Sequence, residues 1–192
     1  LSLLEQRIFV NSGTSLYGTG PERLRQRGTA AHNTVVVAGQ NSSEVWSGFR
    51  VARRARVDAV VIAETPTALN VTARHDGYTR LSRGSMHRRD WQLGESGLTV
   101  TDRLDPAQAG MAYYHLHPDV QAEATSPNTG VLRLSSGQVL RWRCLTRGAL
   151  VQIEPATWHP QFGQSLPCQR ITIGFFGMAS FGLDWTQCTF SS

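Results

Sequence analysis

Short apolar runs, rich in β-branched and aromatic residues and separated by Gly, Pro, Asn, Asp or Ser, recur along the chain and predict an all-β fold. Strands are expected over residues 7–10, 34–37, 57–63, 68–73, 86–93, 98–102, 112–117, 131–134, 139–144, 150–154 and 170–176. In Leu98-Thr99-Val100-Thr101 and Arg141-Trp142-Arg143-Cys144 successive side chains take opposite faces, as in a strand with one face in a core. Turn chemistry separates the runs at Asp76-Gly77, residues 94–97, Asp105-Pro106 and residues 127–130. A spacing of roughly ten residues per strand predicts stacked antiparallel sheets, a β-sandwich of about 10–14 short strands. Residues 22–26 offer one turn of helix, and no other segment carries a helical period of useful length.

The 192 residues suit one domain, 1–192, with a core large enough to bury most of its apolar surface. No apolar run approaches the ~20 residues of a membrane span, so no membrane partner is expected. The amino terminus, Leu1-Ser2-Leu3-Leu4-Glu5-Gln6, carries no initiator Met, basic region or cleavage site. Such an abrupt start predicts that an upstream part precedes it.

Charge narrows the partner. The formal net charge is +5, and all 19 basic residues are Arg. Codon bias accounts for the composition as readily as function does. Functionally, planar guanidinium groups match carboxylates and sulfates through paired hydrogen bonds, which points to an acidic polymer. Nucleic acid is not expected, because the strands lack the aromatic-rich basic pattern of single-strand binders. Cys144, Cys168 and Cys188 have neither a C-x-x-C spacing nor an even count; three buried thiols are expected, with one disulfide as the alternative.

The chemistry gathers near the amino terminus. His32 stands at the entrance of an apolar strand, just after the Arg-rich, glycine-bracketed loop 18–28, and Asn11 stands at the exit of the preceding strand. Pairing of those strands would bring an imidazole, an amide and several cations to one edge, a set suited to a polymer of uronic acids. Asn11-Ser12-Gly13-Thr14-Ser15-Leu16-Tyr17 and Arg27-Gly28-Thr29-Ala30-Ala31-His32-Asn33-Thr34-Val35-Val36-Val37-Ala38-Gly39 resemble the core motif of heparinase II/III-like proteins. That motif is Asp-x-Gly-Thr-x-x-Tyr, an Arg-containing loop, then Arg-x-Thr-x-x-His-Asn-Thr-Val-x-Val-x-Gly. His75-Asp76-Gly77-Tyr78, His87-Arg88-Arg89 and the strand 98–102 extend the resemblance, which is specific over 7–105 and diffuse to 177.

The resemblance implies the carboxy-terminal β-sandwich of a polysaccharide lyase, with an amino-terminal α/α toroid of the same polypeptide as its partner. It implies β-elimination on a uronate-containing polymer of the heparin, heparan sulfate or alginate kind, and a periplasmic or cell-envelope location. It assigns catalytic roles to His32 and Tyr17, and substrate contacts to Arg23, Arg25, Arg27, Asn33, Gln40 and Arg50. It also implies a zinc ion on His32 and Asn11, although Asn11 replaces the family's Asp with a neutral and poorer ligand. The remaining metal ligands and the proton-transfer groups belong upstream of Leu1 and in the toroid, so the chain alone is expected to be inactive. The rival reading is a non-catalytic carbohydrate-binding or structural β module.

Other residues take plainer readings. His115 and His117 share a face of one strand, and a half-buried pair near the strand end is expected rather than a metal site. His159 is expected in a surface loop, the tryptophans in the core, and Arg53, Arg54 and Arg56 on a solvated face.

Overall fold

The computed structural model describes residues 1–3 and 5–185. Among the described residues sixteen strands form in chain order: β1 (Ser2–Leu3), β2 (Gln6–Arg7), β3 (Val35–Val37), β4 (Val45–Trp46), β5 (Arg50–Val51), β6 (Val57–Thr65), β7 (Ala68–His75) and β8 (Met86–Gly94). There follow β9 (Gly97–Asp105), β10 (Ala109–His115), β11 (Val120–Ser126), β12 (Thr129–Leu134), β13 (Val139–Cys144), β14 (Leu150–Trp158), β15 (Leu166–Phe176) and β16 (Met178–Asp184). One sheet has the order β14-β15-β10-β3 and the other β11-β12-β13-β16-β9-β8-β7-β6, while β1-β2 and β4-β5 are separate hairpins. All named pairings are antiparallel.

The two large sheets stack because each has one apolar face. Val35, Val37, Ala112, Tyr114, Ile171 and Ile173 come from the first, and Val100, Leu132, Leu140, Trp142, Phe181 and Leu183 from the second; all are buried in one cluster. Across the interface the rings of Tyr114 and Phe181 stack at 4.4 Å. A buried side chain of this size contributes roughly 1.5–3 kcal/mol relative to exposure. This is the expected all-β sandwich of stacked antiparallel sheets.

Several boundaries differ from expectation. The expected strand 7–10 is split: Arg7 belongs to the β1-β2 hairpin and Phe9 makes an isolated bridge to Leu116. β11 and β16 lack a continuous apolar run and escape a composition-based reading. β11 alternates buried Val120 and Ala122 with exposed Gln121 and Glu123; β16 alternates buried Ala179 and Phe181 with half-buried Ser180. The turn of helix is longer than expected, α1 over Pro21–Arg27, with Pro at its start, Glu22 in its first turn and Arg25 and Arg27 in its last. That arrangement suits both the fixed φ of proline and the helix dipole. A 3-10 turn, Thr29–Ala31, then leads to His32.

His159 is 3 % exposed rather than a surface residue, because Gly13 bridges to it and Ser12 accepts a hydrogen bond from its backbone N–H. Trp46 is exposed rather than in the core, since it sits in the two-strand hairpin outside both sheets. Cys144 is buried, Cys168 only half-buried, and Cys188 lies outside the described residues.

Candidate functional site

β10 organises the corner that holds His32 and Asn11. Its residues Gly110, Met111 and Ala112 pair with β3, and on the same side of β10 Leu116 bridges to Phe9. The segment ending at Val10 and the strand beginning at Val35 therefore lie end to end along one edge of β10 instead of pairing with each other. Asn11 and His32 meet where the two segments abut, with His32 Nδ1 and Asn11 Oδ1 at 3.0 Å. With the amide oxygen as acceptor, Nδ1 carries the proton and Nε2 keeps the ring's lone pair. Burial pushes the pKa of His32 below its ordinary value, so the ring is neutral near pH 7 and can accept a proton at Nε2.

Asn33 is a clamp beneath this corner. Its amide donates to the Val10 carbonyl at 3.0 Å and its Oδ1 accepts from the His115 backbone N–H at 2.6 Å. Arg89 donates to the Asn33 carbonyl. Arg89 is itself held by the wholly buried Asp102, which also accepts from His87 Nε2 at 2.7 Å. His87 Nδ1 lies 3.0 Å from His75 Nε2, and His75 Nδ1 accepts from the Gly77 N–H at 3.1 Å. Each nitrogen of both rings thus has a partner when both are neutral, with Nε2–H on each. His75-Asp76-Gly77-Tyr78 and His87-Arg88-Arg89 therefore build the support under His32. Burial, with the neighbouring His87, pushes His75 down to about 4.

The outer face of the four-stranded sheet continues the corner. His115 is 3 % exposed; its Nε2 donates to the Ala30 carbonyl at 3.0 Å, and its ring stacks against Tyr113. Burial, helped by the charges of Arg170 and Arg25 and opposed by the hydrogen bond to Ala30, holds His115 down to about 4. Arg170 lies over the Tyr113 ring at 4.9 Å and pairs with Glu154 at 2.8 Å. Strand alternation alone could have nominated Tyr113, Glu154 and Arg170; only the β10-β15-β14 pairing places them side by side. His117 is half-buried against Trp158 at 4.7 Å and lies past the end of β10, whereas His115 is buried within it, so the expected half-buried pair on one strand is not formed.

The other sequence candidates separate. Arg25 bonds Glu22 at 2.7 and 2.5 Å, Thr157 at 2.8 Å and His159 Nε2 at 3.3 Å, and its guanidinium holds Glu22 down to about 2. Arg23 and Arg27 turn to the β4-β5 hairpin: Arg23 Nε donates to the Gly48 carbonyl, and Arg27 to the Ser47 and Arg50 carbonyls. Arg50 stacks on Trp46 at 4.7 Å. Tyr17 stacks on Phe162, and Gln40 is exposed in the turn after β3. The structure thus joins His32, Asn11 and Asn33 in one corner, with Arg25 in electrostatic reach of His115, and carries Tyr17, Arg23, Arg27 and Arg50 to the hairpin.

The donors at the corner do not by themselves fit zinc. They are one imidazole and one neutral amide oxygen, bonded to each other, and among the described residues no group of three or more His, Cys, Asp or Glu is arranged to hold a metal ion.

No curated protein sequence matches the chain. Among solved structures, the heparan sulfate lyase HepC from Pedobacter heparinus superposes with a TM-score of 0.74 at 14% identity, over 94% of this chain and 28% of that one. A heparinase III superposes with a TM-score of 0.70 at 16% identity, over 93% of this chain and 28% of its own. The chain therefore spans about a quarter of the length of these two proteins. The sequence profile described as heparinase II/III-like, C-terminal, matches residues 1–180. With that match over nearly its whole length, the chain belongs to the heparinase II/III-like C-terminal family.

Proposed function

We propose that this domain is part of a polysaccharide lyase that cleaves a uronate-containing acidic polysaccharide by β-elimination. The observation that carries the reading is the 3.0 Å bond from His32 Nδ1 to Asn11, which leaves Nε2 unprotonated; His115, whose Nε2 donates to the Ala30 carbonyl, lies within electrostatic reach of His32, Arg25 and Arg170. β-Elimination takes the C5 proton beside a uronate carboxylate, forms the C4–C5 double bond and expels the C4 oxygen, which leaves with a proton. The step needs a neutral base and cations that offset the charge building on the carboxylate. His32 Nε2 serves as a proton acceptor, and Arg25 and Arg170 offer guanidinium donors to the carboxylate in exchange with Glu22 and Glu154. Family resemblance adds an α/α toroid of the same polypeptide as the partner that closes over the corner, and a periplasmic or cell-envelope setting.

The test is ultraviolet absorbance of unsaturated uronate products, with the intact polypeptide offered heparin, heparan sulfate, alginate and polygalacturonate. Product from at least one polymer, lost in His32→Ala, is expected. No product from any of them, with polymer still bound, would replace the lyase reading with that of a carbohydrate-binding module.

A further inference from the structure

Three aromatic rings stand on the surface at the tips of three separate loops. Tyr17 is 62% exposed, Phe49 69% and Phe162 63%. Tyr17 stacks on Phe162 at 5.1 Å and lies 5.7 Å from Phe49. The buried Arg23 sits against the Tyr17 and Phe49 rings, at 5.3 and 5.6 Å. Exposed rings on one surface are unusual unless something binds there.

The loops that carry them are locked together. A Cβ at Gly48 would lie 2.5 Å from the Gly18 carbonyl oxygen, an approach only glycine permits. Gly163 N–H donates to the Ser15 carbonyl at 2.7 Å, and Arg23 and Arg27 together hold the carbonyls of Ser47, Gly48 and Arg50. The rings are thereby set in place before any ligand arrives, which lowers the entropy lost on binding.

Cations continue along the chain from the rings. Arg50 follows Phe49 directly and lies over Trp46, itself 47% exposed; Arg53, which pairs with Glu44 at 3.6 Å, Arg54 and Arg56 follow and are exposed. Flat rings take the C–H faces of sugars, and guanidinium groups take carboxylates or sulfates. We propose that the Tyr17–Phe49–Phe162 platform and the arginine run 50–56 form a docking surface for acidic polysaccharide. The class of ligand rests on the acidic-polysaccharide reading above; the platform itself does not depend on catalysis.

The measurement is calorimetric titration of the intact polypeptide with heparin and with polygalacturonate at low salt. The Phe49→Ala/Phe162→Ala variant is expected to bind at least about ten-fold more weakly, about 1.4 kcal/mol, while Phe49→Tyr/Phe162→Tyr stays within about two-fold. Arg53→Gln/Arg54→Gln/Arg56→Gln is expected to weaken binding and flatten its salt dependence. Unchanged affinity in a folded alanine variant overturns the proposal. If that variant unfolds, hydroxyl-radical labelling of the unmutated protein decides: shielding of Tyr17 and Phe162 on adding polymer supports the surface. Labelling unaltered by polymer overturns it, as does shielding already complete without polymer, which marks a contact within the polypeptide. Binding that depends on the platform, with no elimination product from any polymer, retires the lyase reading and leaves the surface standing. Elimination with normal binding by the alanine variant does the reverse.

Discussion

Arg89 and Asp102 are register partners on β8 and β9, and their side chains meet in a two-pronged ion pair, Nε to Oδ1 at 2.6 Å and Nη2 to Oδ2 at 2.8 Å. Both groups are buried, Asp102 completely. Removing one partner of a buried pair leaves an uncompensated charge, and Arg89 would also lose its hold beside the Asn33 carbonyl. Asp102→Ala is therefore expected to cost about 3–5 kcal/mol in urea unfolding. A loss below about 1 kcal/mol, the range of exposed pairs, would show that Arg89 finds solvent easily.

Acid should unfold the domain before its carboxylates titrate. His75 and His115 are both held down to about 4, mainly by burial. Each takes up its proton more readily in the unfolded chain, near pH 6.5. Their contribution is fully present above pH 6.5 and is lost as the pH falls through 4, up to about 3 kcal/mol each. The urea midpoint should drop between pH 7 and pH 5. An unchanged midpoint over that range would show both rings to be solvated.

Asn11→Asp places a carboxylate 3.0 Å from His32 Nδ1. An adjacent negative charge favours the imidazolium, so the His32 pKa should rise by about 1–3 units. A proton NMR titration of the ring signals measures it. No rise would mean that the two side chains part in solution.

Gly13 has φ +75°, and a Cβ there would lie 2.0 Å from the His159 carbonyl oxygen. Gly13→Ala combines left-handed strain with a backbone clash, and is expected to cost about 2–4 kcal/mol. The clash should also pull His159 away from Arg25, so thermal unfolding is measured together with the His159 ring signals. A melting temperature within 1 °C or so of the parent would contradict this packing.

Much of this molecule was legible along the chain, and the limits have particular causes. β12 and β13 announce themselves, because alternating Leu132, Leu134, Leu140 and Trp142 place every second side chain inward. β16 does not, since Met-Ala-Ser-Phe-Gly-Leu-Asp mixes small and polar residues, and its place between β13 and β9 comes from cross-strand neighbours. The arginines of 23–27 illustrate the same limit. Their charge is visible in sequence, but whether a guanidinium meets a ligand, a glutamate or a carbonyl depends on what packs opposite.

The sequence by itself determined the all-β class, the turns, the family motif and the candidacy of His32 and Asn11, because periodicity and short motifs are local properties of the chain. Only the tertiary structure decided that these two residues bond to each other, that Arg89 and Asp102 brace them through Asn33, and that Tyr17 joins Phe49 and Phe162 rather than His32. Each of those contacts joins residues ten or more positions apart. Sequence spacing carries no distance across strands; β10, with β3 and Leu116's bridge to Phe9 on the same side, supplies it.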